Sequence, residues 1–250
     1  MPEQLSVGVL DYGSGNLHSV VQALHHAGAR VSLGSADQVA EADAVVIPGV
    51  GAFDACMSGL VAAGGDELIS RRLRAGRAVL GICVGHQVMF SQGLEHEIER
   101  AGVGILPGLV EPLRSHRLPH MGWNTVVPDD HPTLRTRLFT HPEDRYYFVH
   151  SYAVRELPEG FDGLASWTRH DGDRFVAAVE AGPLTSLQFH PEKSGPAGAR
   201  LLRGGQLVGK DRDEDQIVDT EDDFHRHQRN QRGPAGGGRK KSQILGKKIH

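Results

Sequence analysis

As far as residue 202, the chain alternates short apolar runs with stretches of helical periodicity, and few folds accommodate that alternation. Residues 7–10 form a nearly continuous apolar run that ends at a glycine turn. From Leu17 to Leu24 the apolar side chains recur at i, i+3, i+4 and i+7, which indicates the buried stripe of a helix ending near Gly28. A strand, a helix and a further strand in this order are the repeating unit of a parallel sheet.

Further runs continue this order into the middle of the chain. Strands are predicted at residues 30–33, 44–47 and 78–82, with a helix over 66–75. After about Gly102 the segments become short and alternating, with many Gly and Pro residues, which is typical of antiparallel strands; the clearest lie at 146–149, 175–179 and 186–189. We therefore predict an α/β fold with an open, mostly parallel sheet flanked by helices and an added antiparallel β layer.

The composition excludes several other classes of protein. The 250 residues are 39% hydrophobic and 23% charged, and the formal net charge of -4 gives no bias toward nucleic acid or an anionic membrane. There is no apolar run of about 18 residues to span a membrane, and residues 1–5 do not resemble a secretory signal. Cys56 and Cys83 are too few for a disulfide framework and lack zinc-site spacing. We predict a cytoplasmic protein without metal or cofactor.

The segment after residue 202 differs in kind from the rest. Residues 211–223 are strongly acidic, residues 226–248 are basic, and large apolar side chains are scarce throughout. Such a segment cannot bury enough apolar surface to offset its ordering entropy. We predict one domain over residues 1–202 and a disordered charged tail over 203–250. A tail that binds a partner or nucleic acid, or a frame error in the sequence, would give the same composition.

Cys83 is a candidate nucleophile because of its neighbours. Gly81 and Gly85 flank it at a predicted strand-to-helix junction, which is the arrangement of a nucleophile elbow, where small neighbours allow a sharp turn that exposes the side chain. A helix beginning beside the sulfur would favour the reactive thiolate. A small buried hydrophobic residue is the alternative, and short motifs alone do not exclude it.

A base and its orienting group follow a later strand-like run. Residues two apart on an extended chain point to the same side, so His190 and Glu192 can face one site together. His190 would take the thiol proton and return a proton to the leaving amine, while Glu192 would hold the imidazole tautomer. A surface His-Pro turn with a solvated glutamate is the alternative, which the nearby elbow disfavours.

The turn at residues 48–51 offers a third element of the site. It lies at the carboxyl end of a predicted strand, where open α/β sheets gather their sites. Gly49 and Gly51 on either side of Val50 allow backbone N–H groups to turn toward a developing oxyanion. The alternative is an ordinary Pro-Gly turn, and a turn that reorients when ligand binds combines both.

These motifs together resemble the class I, triad-type glutamine amidotransferases. The sequences Gly-Ile-Cys-Val-Gly-His-Gln at 81–87 and His-Pro-Glu at 190–192 carry that resemblance. The segments at 48–51, 118–124, 148–152 and 188–194 are similar, more narrowly, to those of the glutaminase subunits of imidazole glycerol phosphate synthase, over residues 7–202. The resemblance implies a flavodoxin-like sheet with the amidotransferase additions.

The resemblance also implies a reaction and a partner. Cys83 would form a glutamyl thioester and release ammonia to a (β/α)8 barrel synthase subunit, with which the chain forms a heterodimer in histidine biosynthesis. Residues 49–51 would serve as the oxyanion strand. The family places glutamine against three matching positions, which are Gln87, Ser151 and Tyr152, and the barrel against five, which are Asn16, Met121, Trp123, Tyr147 and Lys193.

The chain departs from the family at three places. Val84 and His86 occupy positions where Leu and Met are usual. A second imidazole next to the nucleophile is a candidate to perturb its protonation or the fit of glutamine, although we expect activity to survive. The third departure is Arg-Gly-Gly at 203–205, which breaks the apolar helix with which the family usually ends.

Three other functions compete with this interpretation. The glycine turn at 13–15 is that of a nucleotide-binding module, but the third glycine of the motif is missing and His18 stands in its place. A triad glutaminase that serves another synthase is disfavoured by the segment at 118–124. A non-catalytic regulatory relative is disfavoured by the intact Cys83, His190 and Glu192.

Overall fold

A computed structural model describes residues 4–131 and 133–203 of the chain. The predicted tail from residue 204 onward lies outside the described residues. The strands are β1 Ser6–Leu10, β2 Arg30–Gly34, β3 Ala44–Gly49, β4 Ala78–Cys83, β5 Phe90–Glu95, β6 Ile98–Ala101, β7 Leu106–Pro112, β8 His120–Thr125, β9 Val127–Pro128, β10 Arg145–His150, β11 Tyr152–Val154, β12 Leu164–His170, β13 Asp173–Ala181 and β14 Leu184–Leu187. The helices are α1 Leu17–His26, α2 Ala36–Val39, α3 Phe53–Ala62, α4 Gly65–Arg74, α5 Val84–Gln87 and α6 Gly195–Leu201, with a short 3-10 helix at Pro191–Lys193.

An eight-stranded sheet forms the centre of the fold in the order β2-β1-β3-β4-β14-β13-β12-β9. The first five strands in this order are parallel, which is the flavodoxin-like arrangement, and the last three are antiparallel. β1, β3 and β4 are buried almost throughout, as expected of strands with helices on both faces. The predicted mostly parallel α/β sheet is confirmed.

Two smaller sheets add the predicted β layer. One pairs β10 with β8 in antiparallel register, and the other has the order β11-β7-β5-β6. The pairing of β5 with β7 is parallel, whereas the other pairs in these two sheets are antiparallel. Among the described residues, no helix is long and apolar enough to cross a membrane.

Helix α3 is an element that the sequence analysis did not predict. Gly59 lies inside it, and glycine in a helix interior costs about 1 kcal/mol relative to alanine. The structure gives the reason for this residue, because a β-carbon there would lie 2.7 Å from the Tyr12 carbonyl oxygen. The helix after Cys83 was predicted, but it is only one turn long, so its dipole is small.

Helix α6 bears on the third departure from the family, the Arg-Gly-Gly sequence at 203–205. α6 ends at Leu201, and the side chains of Leu201 and Leu202 are each 1% exposed. Both leucines are therefore buried before the Arg-Gly-Gly sequence begins. Arg203 is the last described residue, and it lies on the exposed side of that end.

Arg72 ties the beginnings of two central strands to helix α4. Its side chain is 2% exposed and donates hydrogen bonds of 2.7 to 3.3 Å to the carbonyls of Ala40, Ala42, Asp43 and Ala78. Burial lowers the pKa of Arg72 to about 10, so the guanidinium stays charged at neutral pH. One side chain thus donates to four backbone carbonyls at or just before the starts of β3 and β4.

We expect Arg72→Met to lower the free energy of unfolding by about 3 kcal/mol or more, because several buried carbonyls lose their donors. Arg74→Met on the same helix is the matched control, since Arg74 is exposed, and it should change stability by less than about 0.5 kcal/mol. Urea unfolding of the two variants measures the difference. Equal stabilities would show that the Arg72 hydrogen bonds contribute nothing net.

Candidate active site

Cys83 ends β4 in a backbone conformation that side chains other than glycine rarely adopt. Its φ is 56° and its ψ is -112°. The two flanking glycines are sterically required: a β-carbon at Gly81 would lie 2.6 Å from the Gly85 carbonyl oxygen, and one at Gly85 would lie 1.8 Å from the Ile47 carbonyl oxygen. Strained backbone of this kind occurs where the surrounding packing enforces it, commonly at active sites.

His190 and Glu192 meet as the sequence predicts. Nδ1 of His190 lies 2.7 Å from Oε1 of Glu192, and their side chains are 3% and 1% exposed. Burial acts to lower the pKa of His190, but the neighbouring Cys83 sulfur and the Glu192 carboxylate outweigh it and raise that pKa to about 9. Nε2 of His190 is buried and has no hydrogen bond of normal geometry to the described residues. This nitrogen is therefore free to hold the proton taken from the thiol, which a pKa of about 9 keeps on the ring at neutral pH.

The 3-10 helix that carries Glu192 is held by its neighbours. The backbone N–H of His190 donates to the Tyr147 carbonyl over 2.9 Å. The Ser194 hydroxyl donates to the His190 carbonyl over 2.6 Å and accepts the Tyr147 N–H over 2.9 Å. Strand β10 therefore fixes the backbone of the candidate base.

His86, the unusual neighbour of the nucleophile, is a core residue. Its side chain is fully buried, its Nδ1 lies 2.8 Å from the Ser186 hydroxyl, and its ring packs edge-on against Phe90 with centroids 5.0 Å apart. Burial lowers the pKa of His86 to about 3. The imidazole is therefore neutral at physiological pH and adds no charge beside the thiol.

The candidate oxyanion strand lies directly beside the elbow. Gly49 pairs with Cys83 across the β3–β4 ladder, and a β-carbon at Gly49 would lie 2.6 Å from the Gly85 backbone nitrogen. Gly51 has a φ of 95°, which favours glycine, and open space around it. The Tyr12 hydroxyl donates to the Pro48 carbonyl just before this segment. The turn is thus anchored at its start and unhindered at its end.

Both backbone groups of Val50 are held by one side chain. The Ser14 hydroxyl accepts the Val50 N–H over 3.2 Å and donates to the Val50 carbonyl over 2.9 Å. The Cys56 sulfur lies 3.0 Å from that hydroxyl and donates to the same carbonyl over 3.3 Å. The glycine turn at 13–15, weighed above as a nucleotide-binding loop, is therefore engaged with the oxyanion strand. The Val50 N–H is occupied in this state.

The three predicted glutamine-binding residues are adjacent. The Gln87 side-chain amide donates to the Tyr152 carbonyl over 2.8 Å and to the Gln188 side-chain oxygen over 3.0 Å. The Ser151 carbonyl accepts the Leu113 N–H over 2.9 Å. Both carbonyls therefore already have protein donors in this structure.

Glu95 lies near Tyr152, and the sequence analysis did not identify it. Its carboxylate accepts the Phe53 N–H over 2.6 Å at the start of α3. Its charge acts on Tyr152, whose phenol pKa is raised first by burial and then by Glu95. A carboxylate here could pair with the α-amino group of an amino acid. No sequence signal marks it, because it stands in an ordinary strand.

The five predicted partner-contact residues have side chains on or near the surface. Met121 is 61% exposed and Trp123 is 51% exposed, which excludes a core role for that tryptophan. Trp123 packs edge-on against the half-buried Tyr147, with ring centroids 5.9 Å apart. Asn16 and Lys193 are exposed. We call the strand β8 face formed by Met121 and Trp123 the docking face.

Comparison with known proteins identifies the class. A profile of the family "Glutamine amidotransferase class-I" matches residues 8–206, so the chain belongs to that family. Two solved structures, described as a crystal structure of glutamine amidotransferase and as PurLQS from Thermotoga maritima, superpose with TM-scores of 0.62 and 0.61 at 21% identity. They cover 81% and 82% of this chain, which covers 98% of each. At this identity they support the fold alone.

Curated relatives identify the subfamily of amidotransferases to which the chain belongs. The imidazole glycerol phosphate synthase subunit HisH of Corynebacterium diphtheriae is 54% identical over 203 residues, which are 79% of this chain and 96% of that protein. The same subunit of Leifsonia xyli subsp. xyli is 54% identical and that of Streptomyces coelicolor 50%, each over 78% of this chain and over 95% and 90% of the relative. Within its class, the chain therefore belongs to the HisH family.

We expect His86→Met to change how stability depends on pH. The pKa of His86 lies below its ordinary value of about 6.5 in the fold, so the unfolded chain takes up a proton first and stability falls as pH drops below about 6.5. Between pH 7 and pH 5 the wild type should lose about 2 kcal/mol more than the variant.

Urea unfolding at the two pH values tests this expectation. The quantity compared is the change in unfolding free energy between the two pH values in each protein. This difference cancels the cost of leaving the Ser186 hydroxyl without His86, because that cost is the same at both pH values. Identical losses in both proteins would mean that His86 titrates normally and is not shielded.

Proposed function

We propose that Cys83, His190 and Glu192 form a catalytic triad with which this chain hydrolyses glutamine to glutamate and ammonia. Membership of the HisH family makes the chain the glutamine amidotransferase subunit of imidazole glycerol phosphate synthase, an enzyme of histidine biosynthesis. The observation that supports the triad best is the 2.7 Å contact between His190 and Glu192, buried beside a cysteine on a strained elbow.

The reaction follows from the roles of these groups. His190 takes the Cys83 proton through Nε2, and the sulfur attacks the side-chain carbonyl carbon of glutamine. The carbon–nitrogen bond of the resulting tetrahedral intermediate breaks as His190 returns the proton to nitrogen, which leaves as ammonia. Water, deprotonated by His190, then attacks the thioester, and the carbon–sulfur bond breaks to release glutamate. Glu192 stabilises the imidazolium in both halves.

One imidazole near the thiol is suited to this task. His86 and His150 are buried and have no carboxylate partner among the described residues, and burial lowers the pKa of each to about 3. His190 alone among these three has Glu192 at hydrogen-bond distance, and its pKa is about 9. Protons are therefore exchanged at His190, while the other two rings stay neutral.

The partner that we propose is a (β/α)8 barrel synthase subunit, bound as a heterodimer and supplied with ammonia through a shared channel. The exposed docking face supports this, because Trp and Met are enriched where proteins associate. Tyr147 lies against Trp123 and also binds the His190 backbone, so docking at this strand would reach the triad directly. We also propose that the chain works in the cytoplasm.

The chain described here is in a resting state. The Val50 N–H is the natural donor for the oxyanion, but it is bonded to the Ser14 hydroxyl. We infer that the barrel, with its own substrate bound, releases Val50 and lets this peptide turn toward Cys83. The loss of one such donor costs other enzymes about 2.7 to 4 kcal/mol, so the isolated chain should be nearly inactive.

We expect Cys83→Ala to abolish glutamine-dependent synthesis by the complex while ammonia-dependent synthesis remains. The variant loses the nucleophile but keeps a fold able to bind the barrel. A coupled assay with glutamine or ammonium salt as nitrogen source measures both activities. Glutamate release by the variant complex above background would show that Cys83 is not the nucleophile. A wild-type complex that uses ammonia but not glutamine would contradict the whole proposal.

We expect Ser14→Ala to raise the glutaminase rate of the isolated chain by about 10-fold, because the Val50 peptide loses two hydrogen bonds worth about 0.5 to 1.5 kcal/mol each. The activation by the barrel should shrink correspondingly. Ser19→Ala, in helix α1, is the matched control and should behave as wild type. A variant whose isolated rate does not rise would mean that Ser14 does not restrain the oxyanion strand.

A further inference from the structure

Two buried histidines that the proposed triad does not use connect the docking face with the glutamine pocket. His150 ends β10 and His120 begins β8, and the two stand opposite each other in the β8–β10 pair. Their exposed fractions are 7% and 4%. Nδ1 of His120 lies 3.2 Å from Nε2 of His150.

The hydrogen-bond acceptors around the two rings determine which nitrogen of each histidine carries the proton. Nδ1 of His150 lies 2.9 Å from the Tyr152 carbonyl, which can only accept, so Nδ1 carries the hydrogen. Burial, and then the nearby His120, lowers the pKa of His150 to about 3, so the ring is neutral and its Nε2 is an acceptor. The donor to that Nε2 is therefore Nδ1 of His120.

The same reasoning adds Asn124 to this series of hydrogen bonds. Burial, and then His170, lowers the pKa of His120 to about 4, so its Nε2 is also an acceptor. The Asn124 amide nitrogen lies 3.4 Å from that Nε2 and donates to the Arg169 carbonyl over 2.7 Å. We call this series of hydrogen-bonded groups the imidazole chain; it runs from Asn124 through His120 and His150 to the Tyr152 carbonyl. Its hydrogen bonds are all donated in one direction.

Each end of the imidazole chain lies at a functional surface. His120 and Asn124 face inward on β8, whereas Met121 and Trp123 alternate with them and form the docking face. At the other end, the Tyr152 carbonyl also accepts the Gln87 amide over 2.8 Å. A displacement of β8 would therefore move the group that anchors a glutamine-binding residue.

The His120 ring is held tightly enough to transmit such a displacement. It stacks on Phe148 and on His170, with ring centroids 4.8 and 4.4 Å apart and an interplanar angle of 28° in both pairs. The His170 Nε2 in turn lies 2.7 Å from the Arg117 carbonyl, in the segment that leads into β8. The ring thus follows the strand and its approach segment.

We propose that His120 and His150 are positioning residues that set the Gln87 side chain for glutamine and transmit the state of the docking face to it. This inference rests on the proposed function, since it assumes that Gln87 contacts glutamine and that β8 contacts the barrel. Neither histidine touches the reacting atoms. Their effect should therefore fall on glutamine affinity more than on the chemical step.

The test uses the complex with the barrel subunit and three variants. His120→Phe keeps the aromatic stacking and removes both nitrogens. His120→Asn places an amide N–H where Nδ1 stood and so can still donate to His150. His170→Phe is the matched control, because His170 stacks on the same ring but is not part of the imidazole chain.

We expect His120→Phe to raise the KM for glutamine about 5-fold with little change in kcat, as the loss of the buried hydrogen bond to His150 implies. His120→Asn should restore most of that loss, and His170→Phe should stay within about 2-fold of wild type. Ammonia-dependent synthesis should be unchanged in all three. Nitrogen NMR of the imidazoles should show both His120 and His150 protonated at Nδ1.

Several results would overturn the proposal. An unchanged KM in His120→Phe, no rescue by His120→Asn, or an equal rise in His170→Phe would show that packing, not the hydrogen bonds, shapes the pocket. A proton on Nε2 of His150 would break the chain outright. A failure of the proposed function would look different. In that case Cys83→Ala would not reduce glutamine hydrolysis by the complex.

Discussion

The close approach of two backbone segments, at the carboxyl ends of β3 and β4, is the constraint on which the rest of the site depends. Gly85 has no side chain because the Ile47 carbonyl occupies that space, and Gly49 has none because the Gly85 nitrogen does. The proposed nucleophile and the proposed oxyanion strand thus sit on paired neighbouring strands, at the spacing that a parallel ladder sets. No flexible loop has to bring them together.

Electrostatics then selects one histidine among several. Burial alone favours the neutral form of an imidazole. The Cys83 sulfur and Glu192 reverse that preference for His190, whereas the pKa values of His86 and His150 stay low. Of these three rings, His190 is therefore the one that carries positive charge. The arrangement separates the acid–base group from rings that serve as fixed hydrogen-bond donors and acceptors.

Much of this could be predicted from the sequence, because it depends on local patterns. The parallel sheet follows from strand and helix periodicity, and the positions of Cys83 and His190 follow from motifs at strand ends. Contacts between residues that lie far apart in sequence and that no motif marks could not be predicted. Ser14 and Val50 are 36 residues apart, and His86 and Ser186 are 100 apart, so their contacts depend on turn geometry and packing. His120 and Asn124 share a strand face, but only the β8–β10 register places His150 beside them.

The hydrogen bonds of the Ser14 hydroxyl have a consequence for how much glutamine the cell consumes. One hydroxyl satisfies both polar groups of the Val50 peptide, so the off position of the proposed enzyme needs no inhibitor and no partner to maintain it. A copy made in excess of its synthase would leave the glutamine pool intact. If the proposed function holds, the two subunits need no matched expression to avoid wasteful release of ammonia, since glutamine would be consumed only when the partner is bound.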